Sequence, residues 1–349
     1  MNFSSQLLAW FDLHGRKDLP WQQAPTPYHV WLSEIMLQQT QVSTVIPYYQ
    51  RFTQQYDNLH ALANAPVDDV LALWTGLGYY ARARNLHKAA TIILEHHNGE
   101  MPTNLDALIS LPGIGRSTAG AIMSLAHKQR FAILDGNVKR VLTRYKKISG
   151  WPGNKAIENK LWLIAEQLLP SERIAHYIQA QMDLGATVCT RSKPKCDICP
   201  LQSNCQAFQH DIPQNYPESK PKKIIPTRKI NWLILQSDDQ KVLLQQRPNS
   251  GIWGGLWSFP EVDCMDNIAE LCLNNYQINI TGITVAPSFK HVFSHFKLDV
   301  HPHLISSSQA SNNISENNSS TWYKISDALL LGLPAPVKTF LQSLDKLRE

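Results

Sequence analysis

Four cysteines lie close together in the second half of the sequence. Cys189, Cys196, Cys199 and Cys205 are separated by six, two and five residues, in a stretch rich in lysine and proline. Thiols at this density favour a metal site over four unrelated free thiols. Zinc and an iron–sulfur cluster both accept four thiolate ligands, although zinc sites usually show two close pairs where this stretch has one. The spacing alone leaves the identity of the metal open.

Two carboxylates occupy positions suited to acid–base chemistry. Glu34 lies in a predicted helix, on the face that also carries Trp31, Ile35 and Gln38. Apolar neighbours raise a carboxyl pKa and favour a general acid near neutral pH; the alternative is a solvated glutamate at the helix edge. Asp135 follows four apolar residues and opens another predicted helix. It is either a plain N-cap or a site carboxylate positioned by that helix end.

A glycine-containing turn separates two apolar helical segments. The sequence Pro-Gly-Ile-Gly at 112–115 is followed by Arg-Ser-Thr-Ala. Such a turn, with Gly113 and Gly115, exposes backbone N–H groups at the start of the next helix, which suits a DNA phosphate. The alternative is a plain connection between two helices.

The remaining pattern predicts the elements that position these residues. Helical periodicity covers 61–73, 85–93, 119–126 and 155–169, and Thr26-Pro27 marks a helix start. Prolines and basic residues at 210–228 predict a linker. Beyond it, strands are predicted over 230–236, 241–246 and 291–301, with a turn at 237–240 and a mobile loop at 306–320. The chain therefore reads as an all-α domain followed by a smaller α+β domain.

Composition and charge narrow the class of protein. The 349 residues are 43% hydrophobic and 17% charged, which excludes collagen, coiled coils and wholesale disorder. No apolar run reaches the roughly 20 residues of a membrane helix, and no signal peptide is recognisable, so we expect a cytoplasmic protein. The net charge is +5 over residues 1–205, +3 over 206–229 and −3 over 230–349. The first part is therefore the one expected to meet an anionic partner.

Taken together, the hairpin, the downstream aspartate and the cysteine spacing resemble the iron–sulfur branch of the helix-hairpin-helix DNA glycosylase superfamily. Within that branch the chain is similar, over nearly its whole length, to the adenine DNA glycosylases, with specific matches at 37–42, 74–84 and 134–140. The resemblance implies a multidomain fold: an all-α helix-hairpin-helix glycosylase domain over 1–208 with a cluster loop at 189–205, a linker over 209–228, and an α+β Nudix-like domain over 229–349.

The resemblance also implies a reaction. It predicts release of adenine mispaired with 8-oxoguanine or guanine in duplex DNA, with a [4Fe–4S] cluster on the four cysteines. Glu34 is expected to protonate adenine at N7. Asp135, supported by Asn137, is expected to stabilise the oxocarbenium-like sugar as the glycosidic bond breaks. The neutral carboxyl then acts as the proton donor, and the ionised carboxylate stabilises positive charge.

Further positions are expected to contact the DNA. The residues that match positions lining the adenine pocket are Leu19, Trp21 and Gln179. The residues that match the wedge, which fills the gap left by the flipped base, are Gln39 and Tyr79. Thr40 is expected near 8-oxoguanine. The hairpin contributes Gly113, Gly115 and Ser117. The candidate phosphate contacts are Arg82, Arg84, Lys88 and Arg116, and for each the alternative is a solvated surface position.

Serine at position 117 predicts a monofunctional enzyme. Endonuclease III-like enzymes carry at that position a lysine that forms a Schiff base with the sugar and cuts the strand. Serine lacks the amine for this step. Lys139, a possible neighbour of the sugar, leaves weak lyase activity open.

The C-terminal domain carries an incomplete Nudix box. Residues 255–261 match its opening, but Leu273 and Asn274 stand where metal-binding carboxylates belong. We therefore expect a lost hydrolase site. The resemblance assigns recognition of 8-oxoguanine to Phe293, Ser294 and His295, with ordinary core packing as the alternative for the phenylalanine.

The expected partner is duplex DNA with an adenine:8-oxoguanine or adenine:guanine mispair, bound by a monomer with no membrane involvement. Three other functions are weighed. An active Nudix pyrophosphohydrolase conflicts with the incomplete box, and a non-enzymatic mismatch-binding protein needs neither catalytic carboxylate. An endonuclease III-like lyase conflicts with Ser117 and with the additional domain.

Overall fold

The computed structural model describes residues 2–23, 25–221, 224–237, 239–293, 295–307 and 320–346. Its α-helices, in chain order, are α1 Phe3–His14, α2 Pro27–Leu37, α3 Val42–Gln55, α4 Leu59–Ala63, α5 Val67–Leu73, α6 Ala81–His96, α7 Leu105–Ser110, α8 Arg116–Ala121, α9 Gly136–Tyr145, α10 Lys155–Gln167, α11 Ile174–Thr187, α12 Gln206–Gln209, α13 Ile268–Tyr276, α14 Ile325–Ala328 and α15 Ala335–Lys346. A π-helical turn, Ile122–Ala126, extends α8. Short 3₁₀ turns lie at Pro20–Gln22, Cys196–Ile198, Gln202–Asn204 and Pro213–Asn215.

The strands follow the linker. They are β1 Thr227–Leu235, β2 Val242–Gln246, β3 Trp257–Ser258, β4 Glu261–Val262, β5 Ile280–Val285, β6 Phe289–Val292, β7 Lys297–Ser307 and β8 Ser320–Tyr323. This order, helices first and then a mixed α+β region, confirms the predicted fold class.

The described chain divides into two compact units. Unit 1 comprises residues 1–64 and 85–222, and unit 2 comprises residues 65–84 and 223–349. Segment 65–84 thus groups with the C-terminal residues, because Tyr80 Oη donates to the Leu333 carbonyl at 2.8 Å and Arg84 Nη1 to the Gly254 carbonyl at 2.5 Å. The boundaries at 208, 209 and 228 stay a prediction.

Helices form the core of unit 1. Helices α1, α9, α10 and α11 pack around fully buried residues that include Leu142, Tyr177 and Leu184. A glycine allows α11 to approach the start of α9 closely: a Cβ on Gly185 would lie 2.5 Å from Cβ of Asn137. Any larger residue there would displace the N-terminus of α9.

Unit 2 contains two sheets. In the larger, β1 pairs in parallel with β7 and antiparallel with β4, while β5 and β6 pair antiparallel with β7. The smaller has the order β3-β2-β8. The last four residues of β1, Trp232–Leu235, are all buried, as expected of a strand covered on both faces.

Two predicted elements are broken in the structure. The helix predicted over 61–73 is divided into α4 and α5 because Pro66 has no N–H and disfavours helix before it. The single strand predicted over 291–301 is wrong in its continuity: the segment is divided between β6 and β7, which form an antiparallel pair, and the Phe293 N–H donates to the Phe296 carbonyl. Most of the loop predicted at 306–320, namely residues 308–319, lies outside the described residues.

Candidate active site

A cleft of about 1260 Å³ opens in unit 1. Its walls come from the region around the first 3₁₀ turn, the end of α2 with the segment after it, the start of α9, and α11. It brings together many predicted site residues: Leu19, Trp21, Glu34, Gln39, Thr40, Ser117, Asp135, Asn137 and Gln179. Both predicted catalytic carboxylates therefore line one cavity.

Glu34 is positioned by α2. The helix begins as predicted, with the Thr26 side chain accepting from the His29 N–H and Pro27 in the first turn. Trp31 and Ile35 are buried on the inner side, whereas Glu34 is partly exposed to the cleft. Burial, together with the negative charge of Asp135, raises the pKa of Glu34 to about 8. A carboxyl with that pKa is mostly protonated at neutral pH and can act as an acid.

Asp135 is both an N-cap and a cleft residue. Its Oδ1 accepts from the Val138 N–H at 2.7 Å, and its Oδ2 accepts from Nδ2 of Asn137 at 3.1 Å. Burial raises the pKa of Asp135, while these hydrogen bonds and the positive charge of Arg140 oppose the rise. The two alternatives weighed for this residue are therefore compatible: the cap itself supplies donors to the anion.

Asn137 is held in one orientation by Arg140. Nη2 of Arg140 donates to Oδ1 of Asn137 at 2.8 Å, so the Asn137 amide group must turn its NH₂ toward Asp135. The same guanidinium donates to the carbonyls of Gly185 and Cys189, both at 2.7 Å. A continuous set of hydrogen bonds thus joins Asp135 to the first residue of the cysteine loop.

The predicted adenine pocket has an apolar wall and a polar one. Leu19 and Trp21 are buried, and the Trp21 ring packs edge-on against Tyr49 with 5.4 Å between centroids. Gln179, on α11, is also buried and lines the same cleft. Flat apolar walls with few polar groups are typical of a pocket for a planar base.

Gln39 and Thr40 lie in the turn after α2. The helix ends at Leu37, so Gln38 leaves the helical face on which it was predicted. Gln39 is exposed and has φ of 58°, in the left-handed region. A non-glycine residue in that region is strained and often marks a functional turn.

Ser117 connects the hairpin to the aspartate. Gly113 adopts φ of +79° in the turn, and Gly115 caps α8 without a side chain. Oγ of Ser117 accepts from the Leu134 N–H at 3.0 Å, one residue before Asp135. Ser117 therefore stabilises the backbone next to the predicted catalytic carboxylate.

The candidate cations are already engaged within the protein. Lys139 Nζ lies 2.7 Å from Oε1 of Glu158 and does not line the cleft. Arg116 pairs with Glu166 and stacks over Trp162. The expected DNA contacts of these groups stay predictions.

Tyr79 and Arg82, both in unit 2, share one turn. Tyr79 is 51% exposed with φ of 51°. The Arg82 guanidinium is buried, donates to the carbonyls of Leu77 and Gly78, and lies over the Tyr79 ring. Arg82 thus holds the turn that presents Tyr79; its predicted contact with DNA is not tested.

The four cysteines line a second cavity in unit 1. Burial raises the pKa of Cys199 to about 12, and the neighbouring Cys189 and Cys205 add to the rise. Four thiolates packed together repel one another and need a positive centre. The buried Arg144 supplies part of the compensation by donating to Sγ of Cys189 at 3.3 Å. The chemistry of four thiols lining one cavity suits a thiolate-bound metal centre, although the described side chains do not form a ready-made group of three or more ligands.

In unit 2, two of the predicted base-reading residues, Phe293 and His295, lie between β6 and β7. Phe293 stacks on Phe296 with 4.6 Å between centroids and packs against His291 and Trp253, while His295 is exposed. Ser294 lies outside the described residues.

Sequence reasoning missed the residues that orient the site from behind. Arg140 and Asn137 are three residues apart, and Gln179 and Asp183 four, spacings that place side chains together on a helix. That signal was available. Arg16, which contacts Asp183 from 167 residues away, has no local signal.

Comparisons with known proteins agree with this site. Family models match the HhH-GPD superfamily of base excision DNA repair proteins over 32–167, the iron-sulfur binding domain of endonuclease III over 189–205, and the NUDIX domain over 231–343. The adenine DNA glycosylase of Buchnera aphidicola subsp. Acyrthosiphon pisum is 43% identical over 344 residues, which is 99% of this chain and 98% of that protein. The chain belongs to the adenine DNA glycosylase family.

More distant members of the adenine DNA glycosylase family also align. The human protein is 36% identical over 357 residues, covering 85% of this chain and 65% of its own length. Among solved structures, a thermostable thymine-DNA glycosylase is 28% identical with a TM-score of 0.53, over 60% of this chain and 95% of that one.

Membership confirms several predictions. The chain is a glycosylase acting on adenine in base excision repair, its substrate is DNA, and its cysteine loop is an iron–sulfur binding domain of the endonuclease III type, which decides against zinc. Among the described residues, no helix has the length and apolarity needed to cross a membrane.

Proposed function

We propose that this adenine DNA glycosylase releases adenine paired with 8-oxoguanine or guanine in duplex DNA, using Glu34 as the acid and Asp135 as the stabilising anion. The observation that carries the proposal is that both carboxylates line one cleft and that hydrogen-bond donors stabilise the charged form of Asp135. Burial raises the pKa of both carboxyls, but at Asp135 two hydrogen bonds and the positive charge of Arg140 oppose the rise. Such donors favour the acid form of Glu34 beside the anionic form of Asp135 within one site.

The adenine leaves the helical stack before the reaction, at a cost of a few kcal/mol. Leu19 and Trp21 pack against it in the cleft. Glu34 then donates its proton to N7, so that the base departs neutral as the C1′–N9 bond breaks. Protonation of a leaving group by a positioned acid contributes typically 10²–10⁴-fold to a rate.

Positive charge develops on the sugar as that bond lengthens. The Asp135 carboxylate stabilises it electrostatically, in a site where little water screens the interaction. Asn137 and Arg140 hold the carboxylate in place. Water is the final nucleophile, since Ser117 offers no amine and Lys139 is paired with Glu158; the enzyme is therefore monofunctional.

Two exposed side chains in strained turns suit the wedge. Gln39 and Tyr79 both have left-handed backbone conformations that project the side chain from a tight turn. Thr40 follows Gln39 and is assigned to the neighbourhood of the opposite base. The N–H groups at Gly113 and Gly115, with Ser117 and Arg82, are assigned to the DNA backbone.

The four cysteines hold a [4Fe–4S] cluster. The cluster supplies positive charge to the buried thiolates and cross-links the 189–205 loop. Release of the base needs none of its electrons. The loop in turn supplies the Cys189 carbonyl that accepts from Arg140.

The C-terminal domain reads the oxidised base through Phe293, Ser294 and His295. Its hydrolase activity is lost, which agrees with the ion pair between Glu261 of the incomplete box and Arg247. We also assign the protein to the bacterial cytoplasm, where it acts on DNA as a monomer.

Single-turnover cleavage of duplexes with adenine opposite 8-oxoguanine, guanine or thymine tests this function. The expected order is 8-oxoguanine, then guanine, with thymine slowest, and Ser294→Ala is expected to reduce the preference for 8-oxoguanine over guanine. Equal rates on all three duplexes contradict the proposed specificity. An unchanged preference in Ser294→Ala contradicts the role of that serine.

A further inference from the structure

Gln179 has a buried acidic neighbour that no step of the proposed reaction uses. Asp183 lies one turn further along α11 and is completely buried. Its Oδ1 accepts from Nε2 of Gln179 at 2.9 Å. A buried carboxylate is costly unless it is fully compensated, and such a group is often retained for specificity rather than for stability.

Arg16 supplies the compensation. Its Nε and Nη2 donate to Oδ1 of Asp183 at 2.8 and 2.6 Å, and its backbone N–H donates to Oδ2 at 2.8 Å. With Gln179 the carboxylate therefore accepts four hydrogen bonds, and both of its oxygens are engaged.

This arrangement leaves Gln179 one possible orientation. A carboxylate has only acceptors, so the Gln179 amide must present its NH₂ to Asp183. The flipped amide would bring two acceptor oxygens together in a buried site. The carbonyl Oε1 is then left for the cleft that Gln179 lines, and it has no hydrogen-bond donor among the described residues.

An acceptor fixed on the cleft wall distinguishes bases by their substituent at C6. Adenine carries an amino group there, a donor, whereas hypoxanthine and guanine carry a carbonyl oxygen, an acceptor. We infer that Asp183, held by Arg16, is a positioning residue that locks the Gln179 carbonyl toward the cleft and thereby selects bases with a 6-amino donor. This inference rests on the proposed placement of adenine in this cleft.

The test compares single-turnover release of adenine and hypoxanthine opposite 8-oxoguanine. The quantity measured is the adenine/hypoxanthine rate ratio of a variant divided by that of the wild type, which cancels the intrinsic difference between the two leaving groups. In Asp183→Ala the acceptor is removed, so that the Gln179 carbonyl can turn toward Arg16 and the amide can flip; we expect the ratio to fall roughly tenfold or more, as for other sites that read a polar substituent. Asp239→Ala, which breaks the exposed pair with Lys241, is the matched control and should leave the ratio unchanged.

A second substitution separates orientation from damage. In Asp183→Ala combined with Gln179→Glu, the new carboxylate presents an acceptor to the cleft in either orientation, so the preference for adenine should return. A folded Asp183→Ala protein with the wild-type ratio overturns the inference, and so does failure of the double variant to restore the preference.

If Asp183→Ala does not fold, the wild-type protein still decides. The Gln179 side-chain amide should show one downfield, slowly exchanging proton by NMR; two freely exchanging protons overturn the inference. If the wild type releases no adenine opposite 8-oxoguanine, the proposed function itself fails. Adenine release with an unaltered ratio in the variant contradicts only the role of Asp183.

Discussion

The raised pKa of Glu34 predicts how the rate of base release depends on pH. An ordinary glutamate, with a pKa of 4.5, is about 0.3% protonated at pH 7, whereas one with a pKa of about 8 is about 90% protonated. The environment in the cleft therefore increases the amount of active acid roughly 300-fold at neutral pH. Protonated Glu34 is the active form, so activity is lost as pH rises through about 8.

The assay is the single-turnover rate constant for release of adenine opposite 8-oxoguanine, measured with saturating enzyme from pH 5 to 10. Saturation separates the chemical step from weaker DNA binding at high pH. The rate constant should fall about tenfold between pH 7 and 9 and about tenfold per unit beyond. Burial also raises the pKa of Asp135, which must be ionised, so the acid limb should lie above that of an ordinary aspartate.

Glu34→Gln is the control for this profile. Its residual rate should lack the alkaline limb, because the group that titrates has been removed. A wild-type rate constant that stays level from pH 7 to 9.5, or an alkaline limb that persists in Glu34→Gln, refutes the assignment of Glu34 as the acid.

Three further outcomes are expected. Asn137→Ala removes one hydrogen-bond donor to the Asp135 carboxylate, and such a bond to a charged group contributes about 1.5–3 kcal/mol. The acid limb of the pH–rate profile should therefore move up by roughly 1–2 pH units, and an unmoved limb contradicts the role of Asn137. Cys199→Ser should lose bound iron and visible absorbance, whereas Cys264→Ser, at an exposed thiol in unit 2, should keep both; an intact spectrum in the first contradicts the cluster assignment. Borohydride should trap far less than one enzyme per base released; stoichiometric trapping during turnover contradicts a monofunctional mechanism.

Local patterns predicted the elements that carry the two carboxylates. Thr26-Pro27 marks the start of α2, and Asp135 caps α9, because capping depends on neighbouring residues alone. The same reasoning placed Glu34 among apolar neighbours. It failed one turn later: α2 ends at Leu37, and the turn that follows presents Gln39 with a left-handed backbone.

Contacts between distant residues were beyond these patterns. Arg82 was expected at the DNA backbone because of its charge, and that charge alone gave no sign that its guanidinium is also buried in the folded protein. Segment 65–84 groups with unit 2 through hydrogen bonds to residues more than 160 positions away. No periodicity or capping signal reports such pairings, which follow from tertiary packing.

Family resemblance and structure contributed different information about the site. The resemblance supplied roles for Glu34 and Asp135, and the structure supplied the burial and hydrogen bonds that make those roles physically reasonable. Sequence reasoning missed Arg140 and Asp183 despite their helical spacing from Asn137 and Gln179, and their hydrogen bonds to these amides come from the structure. Each orients a side-chain amide by the same rule, since a group with only donors or only acceptors allows one orientation.

The most direct test of the mechanism is single-turnover adenine release from an adenine:8-oxoguanine duplex by wild type, Glu34→Gln and Asp135→Asn. Folding and DNA binding of each variant are checked in parallel. Both variants should bind the duplex and release adenine at least about 100-fold more slowly than wild type, because one lacks the proton donor and the other lacks the anion that the transition state requires. A wild-type rate constant in either variant contradicts the division of labour between the two carboxylates.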